Sequence, residues 1–124
     1  METEYSISPD GEKFTLPLKA NYKKEFSRLK REVAKQKKLK REIVVVMGVG
    51  FVGVAMAAVI ADTEDKNGKS SKYVIGMQRP SVRSYWKIPV LNRGTSPVTS
   101  EDEELGPMIE RCILEKKTLT ATFT

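Results

Sequence analysis

The feature that most constrains this chain is an uncharged run of nineteen residues, Ile43 to Ala61, which reads IVVVMGVGFVGVAMAAVIA. A run of about 20 apolar residues is long enough for a helix that crosses a bilayer. The same run contains Gly48, Gly50 and Gly53 at the spacing G-x-G-x-x-G, which is typical of a turn that holds the pyrophosphate of a dinucleotide. The run is therefore either a membrane span or the strand, turn and helix of a nucleotide site.

The order of residues within the run favours the nucleotide site. Ile43 to Met47 is mostly β-branched and predicts a buried parallel strand, whereas Phe51 to about Asp62 is alanine-rich and predicts a tightly packed helix. Tyr73 to Met77 predicts a second strand, which would lack a partner if Ile43 to Met47 were helical. A membrane-anchored, non-enzymatic protein remains the alternative, but no membrane span is expected.

Each glycine of the motif has a distinct expected role. Gly48 would form the tight turn after the strand, and Gly50 would let the backbone approach a pyrophosphate. Gly53 would let the helix and strand pack closely. Phe51 and Val52 would open the helix, whose free N–H groups and dipole favour an anion.

The remaining pattern predicts an α/β fold. Apolar residues at 105, 108, 109, 112 and 113 predict an amphipathic helix, and the LTATFT end predicts a third strand. Because strands alternate with helices, we expect a partial Rossmann-like, doubly wound parallel sheet of about three strands with flanking helices. The predicted divisions are an arm (1–20), a basic amphipathic helix (21–42) and an incomplete dinucleotide-binding domain (43–124).

The basic helix carries most of the positive charge of a chain whose formal net charge is +6. Tyr22, Phe26, Leu29 and Val33 recur on one helical face and predict the stripe by which the helix docks. A solvated helix is favoured over a nucleic-acid or acidic-lipid patch, because no aromatic residues interleave with the charges as stacking on single strands requires. No nucleic-acid partner is expected, although a polyanion-binding helix stays an alternative. The Lys and Arg residues of this segment are Lys23, Lys24, Arg28, Lys30, Arg31, Lys35, Lys37, Lys38, Lys40 and Arg41.

Composition excludes several kinds of catalysis. The chain has no histidine and one cysteine, which removes histidine general bases, Cys-His nucleophiles and cysteine-based zinc sites. Cys112 falls on an apolar helical stripe and is predicted to be a core residue rather than a nucleophile. We therefore predict no catalytic residue and no metal site. The N-terminus lacks an apolar secretory segment, so a cytoplasmic location is expected.

The end of the second strand bears on cofactor choice. An NAD site usually has Asp or Glu there to bind the ribose hydroxyls, whereas this chain has Gln78 followed by Arg79. Gln78 would still bond a hydroxyl, but without the charge. Arg79 would either face a 2′-phosphate, which favours NADP, or lie in solvent. NAD is the expected cofactor and NADP is the alternative.

Several segments occur in the order of a known family. They are GVGFVG at 48–53, YVIGMQ at 73–78, PVLNRGTSPVTSEDEELGPMIERC at 89–112 and the TLTATFT end. Together they resemble the N-terminal domain of the UDP-glucose/GDP-mannose dehydrogenase family. The resemblance runs from about Ile43 to Thr124 and leaves the basic helix and the arm unexplained.

The resemblance implies an NAD-dependent enzyme that oxidises a nucleotide sugar at C6, in two hydride transfers, to a uronic acid. It also implies a role in polysaccharide biosynthesis and a homo-oligomeric enzyme. The family's catalytic cysteine, lysine and asparagine lie in later segments, so this chain is expected to be the cofactor-binding front part of a longer enzyme and inactive alone.

The resemblance also assigns individual residues. Gly48, Gly50, Phe51, Val52 and Gly53 would hold the pyrophosphate, and Gln78 stands where the family has its ribose-binding Asp. Arg83 matches an arginine near the adenosine ribose or adenine. Glu101 matches a glutamate that we interpret as a helix N-terminal charge.

Overall fold

The computed structural model describes residues 4–98 and 103–124. Its helices are Lys19–Lys38 (α1), Phe51–Ala61 (α2), Lys87–Asn92 (α3) and Leu105–Glu110 (α4), and α4 continues as a π-helical turn over Arg111–Glu115. Its strands are Tyr5–Ile7 (β1), Lys13–Thr15 (β2), Glu42–Met47 (β3), Lys72–Met77 (β4) and Leu119–Thr122 (β5). Glu101 lies outside the described residues.

A parallel three-stranded sheet forms the centre of the fold. Its order is β3-β4-β5, so that Val44 aligns with Val74 and Val74 with Leu119. Helix α2 connects the first two strands, and α3 and α4 connect the last two. The predicted α/β fold, a partial Rossmann-like parallel sheet with flanking helices, is confirmed.

The two faces of this sheet differ in chemistry because side chains alternate along each strand. Val46, Val74 and Ala121 belong to the apolar core, together with residues of α2, α3 and α4. Cys112 is fully buried in the same core, as its position on the apolar stripe predicted. On the opposite face, Thr120 bonds to α1.

Helix α1 covers that second face by polar contacts as well as by part of the predicted apolar stripe, of which Leu29 and Val33 are half-buried and Tyr22 packs against Phe123. Gln36 is buried in α1, whereas Phe26 is 63% exposed. The stripe prediction was therefore wrong in part, because Thr120 and Thr122 bring hydroxyl groups to the sheet face beneath α1, and buried hydroxyl groups require hydrogen-bonding partners. The helix begins at Lys19 and ends at Lys38 rather than spanning 21–42, and a left-handed residue, Lys40 (φ 60°), turns the chain into β3.

The N-terminal arm contains an antiparallel hairpin that the sequence analysis did not predict. Strands β1 and β2 pair through a turn at Pro9-Asp10-Gly11, in which Gly11 has a φ of 91°. Asp-Gly between short alternating segments was the available signal. The buried Ser6 hydroxyl accepts a hydrogen bond from the Trp86 backbone N–H at 2.9 Å, which fixes the hairpin near α3.

The uncharged run is divided between β3, the glycine turn and the eleven-residue α2. Among the described residues, no helix has both the length and the apolar character that a bilayer crossing requires.

Candidate dinucleotide site

The glycine turn lies where β3 ends and α2 begins. Gly48 has a φ of 91°, and its N–H donates to the Met77 carbonyl at 2.6 Å. That positive φ favours glycine because a Cβ atom would be strained there. Gly48 therefore directs the chain away from the sheet, as its predicted role in the tight turn requires.

Gly53 permits the first turn of α2 to pack against the turn itself. A Cβ atom added at Gly53 would lie 2.0 Å from the Gly48 carbonyl oxygen. No side chain fits at that distance without moving the backbone. The close packing partner of Gly53 is thus the glycine turn, whereas the sequence analysis had placed it between helix and strand.

Gly50 faces open space instead. Its φ of −72° is accessible to other residues, and no atom beyond its two chain neighbours lies within 4 Å of the position of a Cβ. Neither backbone strain nor local packing therefore requires glycine at this position. An open approach to the backbone is what a bound pyrophosphate needs.

The start of α2 offers backbone donors beside Gly50. The Val54 N–H bonds to the Gly50 carbonyl at 2.9 Å and begins the helical ladder. The N–H groups of Phe51, Val52 and Gly53 precede that bond, and the first turn of α2 contains no acidic residue. Such a helix start favours an anion through its N–H groups and its dipole.

Gln78 joins the end of β4 to the glycine turn. Its Oε1 accepts a hydrogen bond from the Val49 N–H at 3.0 Å. Its Nε2 makes a longer contact of 3.4 Å to the Arg79 carbonyl. Gln78 therefore braces the turn with its oxygen, and the second N–H of its amide remains for a hydroxyl or phosphate oxygen.

A second close contact holds the turn on the sheet. Val49 is fully buried, and a Cβ added at Gly76 in β4 would lie 3.0 Å from its Cγ1. Gly76 thus makes room for Val49, which positions the N–H group that Gln78 binds. Sequence reasoning missed this pair, because nothing in the spacing of the two residues indicates that they meet.

The two predicted arginines lie beyond Gln78. Arg79 is exposed, and its carbonyl accepts a hydrogen bond from the Ser84 hydroxyl. Arg83 is also exposed, in the turn before α3, where its carbonyl accepts from Trp86 Nε1 at 2.9 Å. The structure brings Gly48 to Gly53 and Gln78 together with Arg79 alongside, while Arg83 has no contact with the glycine turn among the interactions described.

The rest of the described chain offers little redox or metal chemistry. Burial raises the pKa of the Cys112 thiol, which disfavours a reactive thiolate. Within residues 4–98 and 103–124, no group of three or more Cys, Asp or Glu side chains is arranged to hold a metal ion. The arrangement can bind a phosphate-bearing ligand, but it shows no catalytic pair.

Comparison with known proteins gives one informative match. No protein-family model and no curated protein matches the chain. Among solved structures, the chain is similar to the NDP-N-acetyl-D-galactosaminuronic acid dehydrogenase from Methanosarcina mazei Go1, with 30% sequence identity and a TM-score of 0.58. The similarity covers 71% of this chain, but the chain spans only 17% of that dehydrogenase. The match supports the resemblance to nucleotide-sugar dehydrogenases in both sequence and fold.

Proposed function

We propose that residues 43–124 form part of the NAD-binding domain of a nucleotide-sugar 6-dehydrogenase, an enzyme that oxidises the C6 alcohol of a UDP- or GDP-sugar to the uronic acid. The ordered family motifs and the similar dehydrogenase structure support this function. The substrate class comes from that likeness and not from a substrate pocket.

One observation carries the cofactor assignment. A single methyl group at Gly53 would collide with the Gly48 carbonyl, whereas the same group at Gly50 would meet nothing in the protein. The fold therefore explains Gly48 and Gly53 but leaves Gly50 unexplained unless a ligand approaches its backbone. Gly48, Gly50, Phe51, Val52 and Gly53 would hold the pyrophosphate of the dinucleotide.

Gln78 and Arg79 would meet the adenosine ribose. The second amide N–H of Gln78, which does not bond the Arg79 carbonyl, suits a ribose hydroxyl. Neither residue carries the negative charge that would repel a 2′-phosphate. We therefore expect the site to bind NAD and to tolerate NADP. Arg83 is proposed to lie on the adenosine side of the same ligand.

The nicotinamide of such a cofactor supplies hydride acceptance, and the residues of this chain bind and orient it. The single cysteine is buried and the chain has no histidine, so we propose that groups outside these residues act on the sugar. Added nucleotide sugar is accordingly expected to give no turnover with this chain alone.

The experiment compares the same one-methyl change at two glycines. Gly50→Ala should keep the thermal midpoint, because its backbone angles and surroundings accept a Cβ, yet weaken NAD binding about 10-fold or more by blocking the pyrophosphate. Calorimetric titration with NAD and NADP and a thermal melt measure both effects.

Gly53→Ala is the matched control and should lower the thermal midpoint by itself, through the collision with the Gly48 carbonyl. A folded wild-type chain that binds neither cofactor would overturn the proposal. Binding that survives Gly50→Ala would remove the glycine turn from the site.

A further inference from the structure

The outward face of α1 carries eight exposed cations. They extend over a helix of 20 residues, which is about 30 Å long, and over about 160° of its circumference at 100° per residue. This set, here called the basic ridge, consists of Lys19, Lys23, Lys24, Lys30, Arg31, Lys35, Lys37 and Lys38.

Both acidic residues of α1 lie on the other side of the helix. Glu25 accepts hydrogen bonds from Arg28 Nε at 2.6 Å and from the Thr122 hydroxyl at 2.7 Å. Glu32 accepts from Gln36 Nε2 at 3.3 Å, beside the buried end of the helix. Glu25 thus docks α1 to the sheet and Glu32 bonds within the helix, so every charged side chain in the outward-facing arc is a cation. Helical spacing at 100° per residue already separates Glu25 and Glu32 from these cations, and the structure shows that Glu25 turns toward the sheet.

The basic ridge also lacks internal neutralisation. Among the ion pairs between described residues, none involves any of its eight members. Lys23, Lys24, Ser27 and Arg31 line a shallow depression in the ridge, where cations from successive turns converge. Unpaired cations spaced along a ridge attract a partner with a repeating negative charge.

The shape of the ridge distinguishes between polyanions. A membrane-surface helix needs large apolar residues among its outward cations, but the small residues Ala20, Ser27 and Ala34 occupy those positions here. A single strand needs a groove with aromatic platforms, whereas α1 is convex and Phe26 lies at the border of the ridge. A cylinder about 10–12 Å wide with cations on both flanks fits a B-form major groove about 12 Å wide, where phosphates line both rims.

From this geometry we infer that the basic ridge of α1 binds the phosphate backbone of duplex DNA, without base specificity, with the helix seated in the major groove. No part of the inference depends on a dinucleotide in the glycine turn. The A-form major groove of duplex RNA is too narrow for a helix, so DNA is the preferred duplex.

The test is fluorescence anisotropy of a labelled random-sequence DNA duplex titrated with the intact chain. If about four of the eight ridge cations contact phosphates, the affinity should fall about 100-fold between 50 and 200 mM salt. The double variant Lys24→Gln/Arg31→Gln should weaken binding about 10-fold at the lower salt. It should also reduce the slope of log affinity against log salt concentration by about two, since two phosphate contacts are lost.

The matched control removes two exposed cations elsewhere. Lys66→Gln/Lys69→Gln changes the net charge equally but lies in the loop before β4, and it should retain wild-type affinity within about twofold. Equal losses of DNA affinity in both double variants would mean that binding depends only on net charge, and this result would overturn the inference. Binding to anionic phospholipid vesicles or to duplex RNA in preference to duplex DNA would overturn it as well.

Discussion

At the scale of single residues, the three glycines of the glycine turn have different roles. Gly48 supplies a positive φ, Gly53 removes a side chain that would collide with a carbonyl, and Gly50 leaves a surface open. Only the last is explained by a ligand rather than by folding. Spacing alone predicted that all three matter, but the atoms around each glycine separate the structural roles from the binding role.

Asp62 is a second residue whose contribution depends on its surroundings. Asp62 follows the last residue of α2, and its carboxylate accepts two hydrogen bonds of 2.8 Å from Arg111. Lys116 Nζ lies 2.9 Å from Asp62 Oδ1. A negative charge is normally unfavourable at a helix C-terminus. Arg111 and Lys116 offset that effect, and their hydrogen bonds hold the pKa of Asp62 well below its usual value of 3.8.

We predict that Asp62→Asn lowers the free energy of unfolding at pH 7 by about 1–3 kcal/mol. Because the folded-state pKa is depressed, this stabilisation is present above pH 3.8 and is lost as the pH falls toward the folded-state pKa. Thermal melts between pH 7 and pH 3 should therefore show the two proteins converging in acid. Glu115→Gln, an exposed carboxyl with no ion pair among the described contacts, should follow the wild type at each pH. A constant difference between Asp62→Asn and the wild type would contradict the argument.

At the scale of elements, α1 shows how a helix docks on a polar sheet face. Arg28 bonds to the Thr120 hydroxyl at 3.0 Å and to the Ala121 carbonyl at 3.2 Å, and Glu25 bonds Thr122. Burial would raise the pKa of Glu25, but hydrogen bonds from Arg28 and Thr122 lower it below its ordinary value. The helix is thus oriented by a few directional bonds, and the apolar residues Tyr22 and Phe26 are left partly exposed.

We predict that Glu25→Gln destabilises the docking of α1, because Arg28 loses its charged partner beside the sheet. The expected cost is about 1–2 kcal/mol, measured as a lower urea midpoint. Glu110→Gln in α4, which also removes one helical carboxylate but an exposed one, should leave the midpoint nearly unchanged. Similar midpoints for Glu25→Gln and the wild type would mean that α1 does not depend on this bond.

At the scale of the whole molecule, the two edges of the sheet differ in whether their outer backbone groups are hydrogen-bonded. At the β5 edge, Asn92 accepts from the Ala121 N–H at 2.8 Å and donates to its carbonyl at 3.0 Å, as a neighbouring strand would. At the β3 edge, no strand of the described chain pairs with the outer side. Large apolar side chains that are more than half exposed lie along β3 and α2, namely Val45, Met47, Val52, Met56 and Val59.

An open strand edge beside exposed apolar residues favours association. We therefore predict that the chain self-associates as its concentration rises, in line with the expected homo-oligomer, and that Met47→Lys reduces this association. Sedimentation velocity over a concentration series measures it. Val82→Lys, at a similarly exposed position in the loop after β4, is the control and should associate like the wild type. A wild-type chain that stays monomeric at all concentrations would contradict the prediction.

The sequence by itself determined the α/β pattern, because burial on both sides of a parallel strand requires a continuous apolar segment such as Ile43 to Met47. It also determined the glycine turn and the core position of Cys112, since both depend on residue type at short range. Tertiary structure alone decided that Gln78 bonds Val49, that Asn92 closes the β5 edge and that Glu25 faces the sheet. Those contacts join residues far apart in the chain, so their geometry depends on how separate elements pack and cannot be read from local spacing.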